Sequence, residues 1–321
     1  MVTAIIPTWN RRDLLEAVLG DLLAQTAPLK RIVVVDNGST DGSEDVARKL
    51  GVDLIRWSEN RGFARAVNAG VRAAMTDWVL VLNNDVRLPP DWMSTMEQAM
   101  LAHPDSGFFV SKLAQAGDGG LLDGSFDALS RSGFPWRCGA GRGDGPIWSE
   151  ARQIQFAPMT AALIRKDLFD EAGFLEERFE SYYEDIEFFL RCGLRGVSGW
   201  YHPAAVARHM GSATLGEWNR DTVFRLTRNH RYLVRIYFHE LPRRPILVGQ
   251  LLWVLLCVRH GRALACIRGW FAGGRPLEAR RESVTRARIA QIVEDGDETI
   301  KTLQQATEFD WFWKTYFRWA G

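Results

Sequence analysis

Cysteine is scarce and scattered. The 321 residues hold four, Cys138, Cys192, Cys257 and Cys266, and no two form a CxxC pair. That argues against a disulfide framework and against a zinc site, and it suits a reducing compartment. From Met1 to Pro7 there is no basic segment followed by an apolar stretch, so no signal peptide is expected. No apolar run is long enough for a bilayer. The longest, Ile246 to Val258, is 13 residues with Gly249 and Gln250 inside it, against the ~20 that a spanning helix needs. Net charge is nearly absent too, at +1. What is there, 46% hydrophobic and 25% charged residues, is the composition of an ordinary globular chain able to bury a core.

The small net charge hides an asymmetry. Residues 222–321 hold 17 Lys+Arg and 9 Asp+Glu, a balance of +8, which leaves −7 for the first 221. The acidic part reads as a catalytic body, and the basic part asks for an anionic partner.

The first half alternates short apolar runs with helical spacing. Ala4–Ile6 is strand-like and ends at Pro7, and Asn10 is placed to cap a helix on which Leu14, Leu15, Val18, Leu19, Leu22 and Leu23 recur at helical spacing, so that one face is expected to be buried. Ile32–Val35 is a β-branched run that stops at the turn signal Asp36-Asn37-Gly38. A helix over 39–50, a strand over 52–57, a helix over 64–75 and a strand over 78–82 follow. This alternation implies an α/β fold with a mostly parallel sheet covered by helices on both faces. Ligands of such sheets bind at the carboxyl ends of the strands. Residues 117–145 contain nine glycines and read as a mobile loop. Residues 152–168 read as a strand leading into a helix, and Tyr182–Cys192 as a helix with an acidic first turn. From Thr222 onward the spacing is helical. The expected organisation is a catalytic domain over 1–220, with a soft boundary near 215–222, and a basic, aromatic-rich helical region over 221–321.

Four polar clusters sit at predicted strand or helix ends, and each has a plain structural reading beside a chemical one. Asp36 is a turn former, or an acceptor for an N–H on a ligand base. Asn83-Asn84-Asp85 is a turn, or a seat for a hard divalent cation holding phosphates. Glu184-Asp185, with Glu187 nearby, suits a helix N-terminus, or supplies a general base for a hydroxyl nucleophile. His209, a lone histidine after an apolar stretch, is by itself more often structural.

Taken in order, these clusters resemble the inverting, nucleotide-sugar-dependent glycosyltransferases of family 2, which have the GT-A fold. The resemblance rests on Ile5-Ile6-Pro7-Thr8-Trp9-Asn10, Val33-Val34-Val35-Asp36-Asn37-Gly38-Ser39-Thr40-Asp41-Gly42, Asn60-Arg61-Gly62-Phe63-Ala64-Arg65-Ala66-Val67-Asn68, Leu82-Asn83-Asn84-Asp85, and Tyr183-Glu184-Asp185-Ile186-Glu187 with His209 downstream. It covers about residues 1–215 and is greatest toward rhamnosyltransferases and galactofuranosyltransferases of bacterial cell-surface polysaccharide assembly. It implies a donor site of Pro7, Thr8, Asn10, Asp36, Asn37, Asn60, Phe63, Asn68, Asn83, Asn84 and Asp85, with Asp36 reading a pyrimidine edge. It further implies a divalent Mg2+ or Mn2+ on Asp85 and His209, with Asp185 as catalytic base and Glu184 beside it. Asn83-Asn84-Asp85 stands where relatives carry a DxD motif, with a carboxylate only at its last position. Pro158-Met159-Thr160 stands where relatives commonly carry a glycine near the donor sugar. The implied partners are a UDP- or dTDP-sugar donor and a glycan or lipid-linked acceptor.

Between Arg225 and Arg288 there are 14 arginines, no lysine and three acids, and Phe309 to Trp319 packs seven aromatics into eleven residues. Two readings stand: helices packed on the catalytic body or on a homodimer partner, or a platform on an anionic membrane surface. No nucleic-acid motif is present, so no nucleic-acid partner is expected. The protein is expected in the cytoplasm, peripheral on the inner face of the cell membrane under the second reading. A nucleotidyltransferase would carry a Gly-rich, Lys/Arg-bearing loop after the first strand, where this chain has Pro7-Thr8-Trp9-Asn10. A non-catalytic relative would lack Asp85 or Asp185, and both are present.

Overall fold

The computed structural model describes residues 1–117, 119–210, 218–274 and 286–321. The elements in chain order are β1 (Val2–Thr8), α1 (Arg12–Leu23), β2 (Arg31–Asp36), α2 (Ser43–Lys49), β3 (Asp53–Arg56), α3 (Phe63–Ala73), β4 (Trp78–Leu82), β5 (Val86–Arg87), α4 (Trp92–Ala102), β6 (Phe108–Gln115) and β7 (Leu122–Gly124). Then come β8 (Asp127–Leu129), β9 (Pro135–Arg137), β10 (Arg152–Ile154), β11 (Ala161–Arg165), α5 (Asp167–Glu171), α6 (Glu184–Leu194) and β12 (Gly199–His209). Among the described residues, five helices follow: α7 (Arg220–Tyr237), α8 (Arg243–Arg259), α9 (Ala263–Ala272), α10 (Arg286–Ala306) and α11 (Trp311–Ala320). The chain divides into two compact units, residues 1–126 with 139–211, and residues 127–138 with 212–321.

The first unit is an α/β sheet. Its strands run in the order β10-β12-β6-β11-β4-β1-β2-β3, with β5 added beside β12 and β7 beside β6. The block β4-β1-β2-β3 is wholly parallel, with Thr8 level with Asp36 and Ile5 level with Val81. β11 then reverses direction and pairs antiparallel with both β4 and β6. β12 runs parallel to β6, with a register shift between His202 and Val206.

Alternation along the strands divides the core. Ala4 and Ile6 of β1, Val34 of β2 and Leu80 and Leu82 of β4 pack with Leu15, Val18, Leu19 and Leu22 of α1 and Trp92, Met93 and Met96 of α4. Ile5 points to the other face, where α3 approaches so closely that a Cβ on Gly70 would run into the Ile5 side chain. Each buried Leu, Ile or Val side chain contributes about 1.5–3 kcal/mol, so both faces of the parallel block are anchored.

Several expectations need correction. The stretch 117–145 is not a loose loop: it supplies β7, β8 and β9. Ser125, Leu129, Ser130, Ser132 and Cys138 within it are fully buried, while Asp118 lies outside the described residues. Its glycines serve turns and close packing. Asn10 does not cap α1. The cap position is Arg11, and Asp41 of the next loop instead accepts the Arg12 N–H at 2.8 Å. α2 begins at Ser43 rather than 39, after the left-handed Gly42. Residues 152–168 hold two strands and a helix, not one strand and a helix.

Among its described residues, the second unit is helical apart from the β8–β9 hairpin. Arg131 pairs with Asp297 of α10, which also accepts from the Tyr316 hydroxyl at 3.2 Å. The ring of His230 stacks on Phe134 at 3.9 Å, and its Nε2 donates to the Ser132 carbonyl at 3.0 Å. All four cysteines of the chain are buried free thiols. No helix among the described residues is long and apolar enough to cross a membrane.

Burial of His230 holds its imidazole neutral, with its pKa brought down to about 4. The unfolded chain therefore binds a proton that the folded chain refuses between about pH 6.5 and pH 4, so stability falls as pH drops through that window. The expected loss is about 3 kcal/mol, read by denaturant unfolding across that range. His230→Phe, which cannot titrate, should unfold with a flatter acid dependence. An unchanged slope in the variant would assign the acid loss to other groups.

Candidate active site

At the carboxyl edge of the parallel block the ladder ends with Asn37 N–H on the Thr8 carbonyl and Trp57 N–H on the Asp36 carbonyl, and polar side chains tie the loops beyond. Asp36, fully buried at the end of β2, accepts the Ser39 N–H through Oδ1 at 2.8 Å. Its Oδ2 is buried with no hydrogen-bond donor, and Arg56 Nε stands 3.7 Å away. At the end of β1 the Thr8 hydroxyl accepts from Asn84 Nδ2 at 2.8 Å, which joins β1 to the turn after β4. Asn10 holds an unusual φ of 50°. Its N–H donates to Ser39 Oγ at 2.9 Å and its Oδ1 accepts the Thr40 N–H at 2.8 Å. Pro7, Thr8, Asn10 and Asp36 thus share one edge. Asn83 joins it through its N–H, which donates to the Thr160 carbonyl at 2.9 Å.

A second web ties in the loop before α3. Asn37 Nδ2 donates to Asn60 Oδ1 at 2.9 Å, and Asn37 Oδ1 accepts the Arg61 N–H at 2.7 Å. Gly38, at φ +84°, passes so near this loop that a Cβ there would sit 2.6 Å from the Glu59 backbone. Phe63 opens α3 half-buried. Asn68 lies deeper: its amide donates to the Leu175 carbonyl at 2.9 Å and accepts the Leu175 N–H at 3.0 Å. Those bonds commit it to holding the 175–177 segment.

The same loop meets the acidic cluster. The Ala64 N–H donates to the Glu180 carbonyl at 3.0 Å, and Gly62, at φ +89°, leaves only 3.2 Å between a built Cβ and the Glu180 backbone. Glu180, Tyr182 and Tyr183 all have positive φ, at 61°, 70° and 71°. Non-glycine residues pay for such conformations, and runs of them gather at functional sites. The strain delays α6 to Glu184, two residues later than the periodicity predicts, and puts Glu184 and Asp185 in its first turn, where a helix favours negative charge. Burial first, and the Asp185 charge second, push the Tyr183 phenol well above its ordinary pKa, so it stays neutral. Glu187 has another task. It makes two 2.9 Å bonds to Arg191, which is fully buried and also donates to the Gly173 and Phe174 carbonyls.

Asp85 and His209 are 124 residues apart and meet where β5 pairs with β12. Asp85 Oδ1 lies 3.2 Å from His209 Nε2, and Asp123 Oδ2 lies 2.9 Å from His209 Nδ1. Burial works against the imidazolium, but hydrogen bonds and charge from Asp123 and Asp85 outweigh it and raise the pKa to about 9. The ring thus acts as the cation between two carboxylates. Hard carboxylate oxygens and an imidazole are a donor set that Mg2+ or Mn2+ accepts. Among the described residues no group of three or more His, Cys, Asp or Glu is already arranged around a metal. The donor types fit an ion, then, with the proton on His209 as its competitor.

The fold is that of GT-A glycosyltransferases, a class that two solved structures represent. One, GalNAc-T7 with UDP, GalNAc and Mn2+, matches with a TM-score of 0.61 and 14% identity over 82% of this chain, which spans about half (54%) of that one. The other, the mannosyltransferase PcManGT of Pyrobaculum calidifontis with GDP-Man and Mn2+, matches with a TM-score of 0.53 and 17% identity over 99% of this chain and 86% of that one. The model of glycosyl transferase family 2 matches residues 3–173, over half of the sequence, and the chain belongs to that family. Among curated relatives, the N-acetylglucosaminyl-diphospho-decaprenol L-rhamnosyltransferase of Mycobacterium tuberculosis is 26% identical over 258 residues, 72% of this chain and 83% of that protein. The protein is therefore a glycosyltransferase, related to enzymes of cell-surface polysaccharide synthesis.

Asp123 and Arg191 escaped the sequence reading, and Asp41 entered it only as one residue of a motif, with no role of its own. Asp123 sits in the glycine-rich stretch, where nothing in the spacing marks it. Asp41 caps two helices, accepting from Arg12 N and from the Ser43 N–H and hydroxyl. Burial opposes its charge, yet these bonds hold its carboxyl below the usual range. Arg191 falls four residues after Glu187, a spacing that signals a helical ion pair.

Arg191→Met should cost about 3–5 kcal/mol in denaturant unfolding, because it strands the Glu187 carboxylate in the interior. Glu187→Leu combined with Arg191→Met should recover much of that loss. A double variant no better than the single would mean that the carbonyl bonds of Arg191, not its ion pair, carry the cost.

Proposed function

We propose that the protein moves a sugar from a UDP- or dTDP-sugar to a hydroxyl of a glycan or lipid-linked acceptor, with inversion at the anomeric carbon. The observation that carries this reading is the hydrogen-bonded web linking the end of β2, the loop before α3 and the strained turn at Asp185. That web gives a donor-binding edge and a carboxylate a common, rigid frame.

Asp36 supports the reading on the nucleoside side: its buried Oδ2 is an acceptor waiting for a donor such as the N–H of a pyrimidine. Thr8, Asn10, Asn37, Asn60 and Phe63 line the same edge and would shape the rest of the donor pocket, with Pro7, Asn83 and Asn84 behind them. Asn68 would act at one remove, by holding the 175–177 segment. Asp85 and His209 would hold Mg2+ or Mn2+, and such an ion would offset the negative charge that grows on the leaving diphosphate. Asp185 would take the proton from the acceptor hydroxyl as its oxygen bonds to the anomeric carbon and the carbon–oxygen bond to the diphosphate breaks. One carboxylate on the acceptor side suffices for inversion. Glu184, buried beside it, would sharpen the field at the helix N-terminus. The protein would work as a peripheral enzyme on the inner face of the cell membrane, its C-terminal unit facing the lipid or a second copy of the chain.

Asp185→Asn keeps shape and removes the base. Transfer should fall on the order of 100-fold or more, while UDP binding by calorimetry stays close to wild type. Turnover near wild type would exclude Asp185 as the base and move the role to Glu184.

Asp85→Ala and His209→Ala should each weaken the Mn2+-dependent part of UDP binding, and excess chelator should do the same to the wild-type protein. Binding and transfer that persist undiminished in chelator would remove the metal role from both residues.

A further inference from the structure

The C-terminal unit exposes apolar side chains in ordered rows. On α8 these are Leu247, Leu251, Val254, Leu255 and Val258, between 43% and 61% exposed. At 3.6 residues per turn they fall within an arc of about 100°, opposite the buried Pro245, Gly249 and Leu252. On α9, joined to α8 through His260–Arg262, the row is Leu264, Ile267 and Phe271, at 78%, 51% and 73% exposed. Helices of a water-soluble unit bury such rows, and contiguous apolar patches on a surface mark a binding face.

Charge identifies what the rows face. Residues 241–274 contain no aspartate or glutamate, and five arginines. Arg243 lies at the start of α8, Arg259 at its end and Arg268 among the exposed residues of α9, all three exposed. Exposed arginines beside exposed apolar rows, on two helices that carry no acidic residue, match acyl chains beneath anionic headgroups. α8 is too short and too interrupted to span a bilayer, so the geometry suits lying in the interface, apolar side down, with arginines reaching to phosphates.

We propose that the α8–α9 pair is an interfacial membrane anchor that inserts these two rows into the surface of an anionic bilayer. The proposal deepens the peripheral reading given above, yet it does not depend on the transfer reaction. Anchoring would concentrate the protein on the surface where a lipid-borne acceptor resides. Its hydrophobic part predicts binding that high salt weakens and does not abolish, unlike a contact made by charge alone.

The test is vesicle flotation of the full-length chain with phosphatidylglycerol–phosphatidylcholine vesicles and with phosphatidylcholine alone, at low and high salt. Wild type should float with the anionic vesicles, partly resist salt, and float far less with neutral ones. Leu251→Gln/Leu255→Gln/Phe271→Gln should lower the bound fraction by about tenfold while the melting temperature holds, since all three positions are exposed. Arg259→Gln/Arg268→Gln should remove the preference for anionic lipid. UDP binding measured on the same preparations reads the donor site separately and should not change. Wild type left in the soluble fraction, or a triple variant that floats as well as wild type, overturns the proposal. So does a sedimentation experiment in which wild type is a dimer without vesicle binding and the triple variant a monomer, because the rows would then pair two copies of the chain.

Discussion

Parallel strands that end together leave a row of backbone groups without ladder partners, and the first unit depends on how that row is closed. In β1, β2 and β4 backbone bonds close the strand ends, Asn37 N–H to the Thr8 carbonyl, Trp57 N–H to the Asp36 carbonyl and Asn83 N–H to the Thr160 carbonyl, and short polar side chains tie the loops beyond them. Asp36 accepts from Ser39 N, Asn37 clamps Asn60 and Arg61, Asn10 holds Thr40, and Asn84 reaches Thr8. Buried polar groups are costly unless paired, so these bonds help to hold the edge together. The same residues form the edge from which a donor would be bound. Under the proposed reading the groups that would recognise a donor are already fixed by folding, which leaves little ordering for binding to impose.

The strained turn before α6 follows from this frame. Positive φ at Glu180, Tyr182 and Tyr183 persists because the surrounding contacts over-determine it: Ala64 bonds to Glu180, Gly62 packs on its backbone, and Arg191 pins the carbonyls of Gly173 and Phe174 upstream. The result is a carboxylate at a helix N-terminus, oriented by backbone rather than by a flexible loop.

Much of this was legible in the sequence, and the misses have physical causes. Alternating periodicity gave the parallel block, because a two-sided buried strand writes itself as a run such as Ile32–Val35. The ends of those runs then located Asp36 and Asp85. The antiparallel return of β11 and the β6–β12 pairing were not legible, since they depend on register between segments about 50 to 90 residues apart. Contact of His209 with Asp85 was anticipated only through resemblance, and Asp123 not at all. The 117–145 stretch misled because glycine signals both loose chain and close packing. Gly139 lies against Trp148, and Gly133 against Val234 and His230. Asn10 misled because its side chain serves the neighbouring loop. In the C-terminal unit, composition announced arginine and aromatics. Only the structure separated the aromatics that pack inward, such as Trp313 and Tyr316, from Phe271, which is exposed. Arg275, Arg280 and Arg281 lie outside the described residues.

At the centre of the proposed reaction is a single displacement, in which one carboxylate would stand on the acceptor side of the anomeric carbon. Its stereochemical outcome can be read directly by proton NMR of the first-formed product, before any mutarotation, from a donor of known anomeric configuration. Opposite configurations in donor and product are the result expected of Asp185 acting as base on an attacking hydroxyl. A product that keeps the donor's configuration would contradict the account, because it requires a second displacement or a front-face path for which the proposed arrangement makes no provision.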